Sequence, residues 1–375
     1  MSDIPLHIPL VDLAAQHREV AAEVEAGFER VIHDTAFVLG ADVAAFEREY
    51  ADFCQVAHVV GVANGTDALE LALRAAGIGQ DPADEVIVPA NTFIATAEAV
   101  ARAGARPVLV DCDPRYDLID PARVKDAIGP HTRAVCPVHL YGQIAPMEEL
   151  AVLAEASGVV VVEDVAQAQG AKRHGQDAGS FGLAAGTSFY PGKNLGAYGD
   201  AGAVLTDSGE IAAKVRALRS HGSEVKYEHP TLGFNSRLDT LQAVVLRAKL
   251  KRLAAWNQAR RAAADRYAEL LGDVDQVTLP AVLPGNEHVW HLYVVRVDER
   301  DRVLARLNGD GIGAGIHYPV PVHLQGAFQH LNHWKGDFPN AEAGAGRSLS
   351  LPLFPGITAE QQERVAAALR GAVGA

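Results

Sequence analysis

The sequence predicts an α/β fold, a largely parallel sheet covered by helices on both faces, followed by a smaller α+β part. Three observations predict it. Short, continuously apolar runs alternate with helical stretches as far as Thr206. Several of the residues that could carry chemistry sit at the carboxyl ends of those runs, where parallel α/β sheets place their ligand sites. After about residue 235 the pattern changes to a long Ala- and Arg-rich stretch and then to sparser strand signals.

Residues 12–33 and 41–53 carry the mixed apolar spacing of helices. A helical pattern resumes over Thr66–Ala76 (TDALELALRAA) and closes at Gly77. The strand runs follow: Glu85–Pro89, Pro107–Asp111, Ala134–Leu140, Val159–Asp164, Thr187–Tyr190 and Ala203–Thr206. Helices at Thr92–Ala103 and Pro146–Ala156 serve as crossovers. Apolar strands with helical crossovers indicate parallel pairing buried on both faces, and such sheets hold ligands at their strands' carboxyl ends. Beyond them, Arg237–Leu271 reads as a long helix, continuous or broken. Strands are expected at His291–Val297, Gly313–Tyr318 and Leu349–Leu353, and a terminal helix at Ala359–Val373. The expected division is a large α/β domain over residues 1–245 and a small α+β domain over 246–375.

Composition narrows the functional classes. With 49% hydrophobic and 21% charged residues, the chain of 375 residues has the mixture of a globular protein with a substantial core. A net charge of −14 opposes nonspecific binding to nucleic acid or anionic membrane, which needs a positive field. The cysteines, Cys54, Cys112 and Cys136, form no CxxC pair and are odd in number, so neither a disulfide framework nor a zinc site is expected. No apolar leader is read over Met1–Leu13 and no membrane span elsewhere, so a cytoplasmic location is expected.

Four segments could carry chemistry. Lys193 lies in the turn Ser188-Phe189-Tyr190-Pro191-Gly192-Lys193-Asn194 just after a strand. A lysine there can be a solvated loop residue or a buried amine that forms a Schiff base. A phosphate-binding P-loop is ruled out, because Asn194 stands where Ser or Thr is required. Val159–Asp164 ends a run of valines in Glu163 and Asp164, a costly place for a carboxylate unless it has a cationic partner. Asp164 can pair within the scaffold, or it can hold the protonated ring nitrogen of a pyridine cofactor. Gly61–Leu69 is a glycine-containing turn opening a helix, where Thr66 or Asp67 can cap the helix or the turn can bind an anion. Phe93 follows another strand end and can be core or can stack on a ring. His317 and His323 are six residues apart in a proline-broken loop and no HExxH occurs, so a substrate-contacting loop is expected rather than a metal site.

Together these segments resemble the DegT/DnrJ/StrS-type sugar aminotransferases of pyridoxal-phosphate (PLP) fold type I. The resemblance runs from VDLAAQ near residue 11 to SLPLFP at 350–355, with the motifs in the family's order and spacing. It implies that Lys193 forms the cofactor's Schiff base and shuttles the proton, and that Asp164 pairs with the pyridinium. Gln167 would lie beside the cofactor's 3-hydroxyl and Phe93 against its ring, with Gly65, Thr66 and Ser188 at its phosphate. Asn235 would reach that phosphate from a neighbouring subunit, which implies a homodimer with shared active sites. The implied reaction uses L-glutamate as donor, passes through pyridoxamine phosphate, and aminates a nucleotide-linked keto sugar. Tyr190 with PGKNLGAYGD, the NSRLD segment carrying Arg237, and HYPVPVH with His317 and Tyr318 resemble the members acting on dTDP-3-keto-6-deoxyhexoses, so these four residues are the expected sugar contacts. Amination at C-4, UDP- or GDP-linked substrates, a sugar dehydratase and a non-catalytic regulator are the alternatives; Lys193 opposes the dehydratases, which carry histidine there.

Overall fold

The computed structural model describes residues 7–225 and 227–375; the first six residues of the segment in which no leader was read lie outside it. Helices α1 (Leu13–Asp34) and α2 (Ala41–Cys54) lead into strand β1 (His58–Val62) and helix α3 (Gly65–Ala75). Next come β2 (Glu85–Pro89), α4 (Ile94–Ala103), β3 (Arg106–Val110), α5 (Pro121–Ala127), β4 (Thr132–Val135), α6 (Met147–Ser157) and β5 (Val160–Asp164). A small hairpin, β6 (Lys172–Arg173) and β7 (Gln176–Asp177), precedes β8 (Ala184–Ser188), β9 (Gly202–Thr206) and α7 (Gly209–Arg219). Helix α8 (Thr240–Leu271) then carries the chain into β10 (Val277–Thr278), β11 (Asn286–Glu287), β12 (Tyr293–Val297) and α9 (Arg300–Gly309). The chain closes with α10 (Pro339–Arg347), β13 (Ser348–Leu351) and α11 (Ala359–Val373).

Seven strands form one sheet in the order β1-β9-β8-β5-β4-β2-β3, and β9 alone runs against the others. The expectation of a largely parallel α/β sheet holds. Apolar clusters lie on both faces. One joins α2, α6 and α8 to the sheet; the other joins α3, α4 and α7 to it. That two-sided cover explains why β5 can be a run of valines with no polar alternation. A second sheet, β10-β12-β13, packs with α9 and α11 around Tyr267, Tyr293 and Leu349. Residue 245 lies inside α8, so the chain passes between the two parts through an unbroken helix.

Three expectations need correction. Gly313–Tyr318 is not a strand. It makes only an isolated bridge, Gly315 to Ser350, and Pro319 and Pro321 beyond it remove the donors a ladder needs. The run at Ala134–Leu140 is a strand only as far as Val135, before Pro137. Helix α8 begins at Thr240, because Asn235 and Ser236 are bonded to Ser220 and Arg219 in extended backbone. Among the described residues no helix is long and apolar enough to cross a membrane.

Candidate active site

The carboxyl ends of β1, β2, β5 and β8 meet at one edge of the sheet. Asp164 is the last residue of β5 and pairs with Gly186 of β8, so Ser188 lies two residues further along the neighbouring strand. A cavity of about 490 Å³ opens there, lined by Gly65, Thr66, Phe93, Asp164, Gln167, Ser188, Tyr190, Lys193, His317 and Tyr318 among others. Ten of the twelve expected site residues therefore share one cavity. Asn235 and Arg237 do not line it.

One end of the cavity is built to meet an anion. The cap of α3 is Asn64, whose side chain accepts from Asp67 N at 2.8 Å, rather than Thr66 or Asp67. Asp67 is occupied instead by Ser236 Oγ at 2.8 Å and by Arg102. This leaves Thr66 lining the cavity and the Gly65 and Thr66 amides at the positive end of the helix. Gly65 permits the close approach: a Cβ there would sit 2.5 Å from Ser188 Cβ. Ser188 Oγ accepts from Tyr190 N at 3.2 Å and keeps its own proton to donate.

Asp164 is 6% exposed. Its Oδ2 accepts from Thr96 Oγ1 at 2.7 Å and its Oδ1 from Ala166 N at 3.0 Å. Burial pushes its pKa up, against the pull of those two donors and of Lys193. Each oxygen keeps room for another donor, so a cation beside it would offset the cost of burial. Glu163, one residue earlier, faces the other side of the sheet. Its oxygens accept from His139 Nε2, Gly179 N, Phe181 N and Gly182 N, so it ties the following loop to β5.

Lys193 sits in a turn closed by its own N–H to Tyr190 O at 2.8 Å. Desolvation lowers its pKa to about 8, although Asp164 pulls the other way. A depressed pKa makes the free amine accessible near neutrality, as a Schiff-base lysine requires. Gln167 Oε1 accepts from Tyr141 N, and its Nε2 donates to Tyr318 Oη at 2.9 Å. Phe93 and Tyr318 lie 5.1 Å apart, and Phe93 is 49% exposed, so it is not core. Tyr190 stands at the mouth, 59% exposed. His317 Nδ1 pairs with Ser350 Oγ at 2.8 Å, and burial lowers its pKa to about 4. His323 is fully buried against Glu342, away from His317. Among the described residues no three His, Cys, Asp or Glu side chains group as metal ligands.

These side chains fit a phosphorylated pyridine: donors for an anion at α3, a buried carboxylate short of donors, an amine of depressed pKa and an exposed ring. Sequence reasoning missed His291 and Asp200, which also line the cavity. For His291 the available signal was a histidine entering the apolar run of β12, the mark of a buried polar group that needs a reason.

The sequence profile of the DegT/DnrJ/EryC1/StrS aminotransferase family matches residues 18–370. A dTDP-3-amino-3,4,6-trideoxy-alpha-D-glucose transaminase of Streptomyces venezuelae is 46% identical, covering 97% of this chain and 95% of that one. A UDP-N-acetyl-3-dehydro-alpha-D-glucosamine 3-aminotransferase of Acidithiobacillus ferrooxidans is 48% identical, with 97% of each chain covered. A pleiotropic regulatory protein of Geobacillus stearothermophilus is 45% identical, with 96% and 97% covered. The crystal structure of S. venezuelae DesV in complex with a ketimine intermediate superposes with a TM-score of 0.95 at 45% identity, covering 97% of this chain and 98% of that chain.

Proposed function

Since the chain belongs to the DegT/DnrJ/EryC1/StrS aminotransferase family, whose chemistry is PLP-dependent transamination of nucleotide-linked keto sugars, we propose that it aminates C-3 of a dTDP-3-keto-6-deoxyhexose with L-glutamate as donor. The observation that carries this reading is the shared cavity of Lys193 and Asp164, with Thr66 and Ser188 beside the end of α3. Bound PLP supplies the electron sink that makes a C–H bond next to nitrogen acidic. Asp164 holds a proton on the ring nitrogen. Thr66, Ser188 and the amides of Gly65 and Thr66 bind the phosphate. Lys193 would anchor the cofactor through its amine, and the same amine, free, would carry the proton taken from the substrate carbon and returned to it. Phe93 packs on the ring, Gln167 lies beside the 3-hydroxyl, and Tyr190, His317 and Tyr318 take the hexose.

Asn235 acts from the partner chain in a cytoplasmic homodimer, a reading supported by its place outside this chain's own cavity; Arg237, the fourth expected sugar contact, lies outside that cavity too. The relatives of Streptomyces and Acidithiobacillus both carry C-3 chemistry in their names and differ in nucleotide, so a UDP-linked 3-keto sugar is the second reading. The intact Lys193 and Asp164 favour an enzyme over a regulator.

The test is the visible spectrum of the protein with PLP. A yellow band is expected that bleaches with L-glutamate and returns with a dTDP-3-keto-6-deoxyhexose but not with its 4-keto isomer. Return with the UDP-linked sugar alone moves the nucleotide. Absence of the band, or indifference to glutamate, overturns the proposal.

A further inference from the structure

Asp164 is held by a pair of hydroxyls that have no part in the scheme above. Thr96 is the third residue of α4 and donates through Oγ1 to Asp164 Oδ2 at 2.7 Å. Thr92, two residues before the helix, lies 2.8 Å from Thr96, hydroxyl to hydroxyl. Both threonines are buried. A hydroxyl has one proton to donate. Thr96 directs its own at the carboxylate, so Thr92 must be the donor to Thr96. The chain of donors runs one way, from Thr92 to Thr96 to Asp164.

Neither threonine serves α4 in the usual way. A threonine at a helix start caps it or bonds to its own backbone. The cap position of α4 is Phe93, which supplies no side-chain bond, and the two hydroxyls beside it turn to Asp164 instead. A charged acceptor binds a donor more strongly than a neutral one, so the Thr96 bond favours the ionised carboxylate. Burial makes Asp164 a stronger base; Thr96 and the Ala166 amide on Oδ1 oppose it. The other titratable groups facing Asp164 are Lys193 from the turn after β8, His139 and Cys136 from the segment after β4, and Tyr318. Among the described residues, only Thr96 and Ala166 are hydrogen-bonded to the carboxylate.

We infer that Thr96, backed by Thr92, is a positioning residue for Asp164: its hydroxyl holds Oδ2 as an acceptor, so that a proton shared between Asp164 and the cofactor's ring nitrogen stays on the ring. The inference rests on the transaminase reading, because only there does Asp164 meet a ring nitrogen. The electron sink needs that nitrogen protonated. A buried carboxylate with no donor on Oδ2 is a stronger base than one with a donor, and it takes the proton for itself. The ring is then neutral and the sink weaker. Thr96 does not line the cavity, so it acts through Asp164 alone.

Two measurements test it on the full-length chain. The first is the titration of the Asp164 carboxyl in cofactor-free protein, read by carbon NMR and assigned through its loss in Asp164→Asn. Thr96→Val keeps the side chain's shape and removes the donor. The midpoint should rise by roughly one to two units, the worth of a hydrogen bond to a charged group. Thr96→Ser should titrate like the unsubstituted protein. Thr92→Val should raise the midpoint less, in the same direction, and it decides the matter if Thr96→Val does not fold. An unchanged or lowered midpoint in the deciding variant overturns the inference. The second measurement is nitrogen NMR of protein loaded with PLP labelled at its ring nitrogen. The resonance should move toward the unprotonated position in Thr96→Val and not in Thr96→Ser. A ring as fully protonated in Thr96→Val as in the unsubstituted protein also overturns the inference. Failure of the unsubstituted protein to bind PLP, beside a raised midpoint in Thr96→Val, would count against the transaminase proposal and not against the hold of Thr96 on Asp164.

Discussion

Glu163 and Asp164 are neighbours of the same charge type with opposite duties, because successive residues of a strand face opposite sides of the sheet. Asp164 meets two protein donors, Thr96 and Ala166, and faces the cavity. Glu163 meets four, His139 among them, and faces away. Removing charge should therefore separate function from stability. Asp164→Asn removes a carboxylate that burial already penalises, so the fold should survive with its melting temperature little changed. Turnover should fall by at least about a hundredfold, since an amide cannot hold the ring nitrogen's proton. Glu163→Gln should do the reverse. Its new NH2 must point at amides that can only donate, at a cost of roughly 2–4 kcal/mol, read by denaturant unfolding. Equal damage to stability from both changes would refute this division. The sequence showed the acidic pair and the expense of placing it there. It could not show which member faced the ligand, because that depends on the register between β5 and β8.

At the scale of elements, α8 supports the turn after Lys193 through Lys249. This lysine is 2% exposed, donates to Gly196 O at 2.7 Å, lies 4.7 Å over the Tyr198 ring and has no carboxylate partner among the described residues. Desolvation lowers its pKa to about 8. Between pH 8 and 10.5 the unfolded chain keeps a proton that folded Lys249 has released. Unfolding then takes up a proton, and this contribution to stability rises with pH across that window. Lys249→Met should remove about one proton's worth of that slope, measured as unfolding free energy against pH beside the unsubstituted protein. An identical slope in both would show that the amine does not titrate there. Legibility also divides by element. Strand β5 and helix α11 were readable because an apolar run and a capping box, Thr358 with Gln361, are local signals. Strand β1 was missed: His58-Val-Val-Gly61-Val is short and interrupted by a glycine. That glycine is explained only by tertiary packing, since a Cβ at Gly61 would sit 2.8 Å from Leu238 Cδ2. Gly313–Tyr318 was overread because apolar alternation does not reveal whether a partner strand is alongside.

At the scale of the whole molecule, two expected site residues, Asn235 and Arg237, stay outside the cavity. Asn235 is exposed, in a segment that also exposes Leu232 at 93% and Val225 at 58%. Phe37 and Val38, 47% and 49% exposed, are joined to the start of α8 by the Thr240 N–H to Phe37 O and the bridge from Val38 to Asp239. A second chain packed against this surface would cover these exposed apolar side chains. If that chain is a second copy, twofold symmetry delivers each Asn235 to the other chain's phosphate site. Complementation tests this directly. Lys193→Ala should be inactive, and Asn235→Ala should bind PLP weakly and turn over slowly. In a heterodimer of the two, one site pairs an intact Lys193 with the partner's intact Asn235, and the other site has neither. Half of the dimers are mixed after random exchange, so roughly a quarter of the sites should recover. A mixture that never exceeds the activity of the Asn235→Ala protein alone would mean that each site is completed within its own chain.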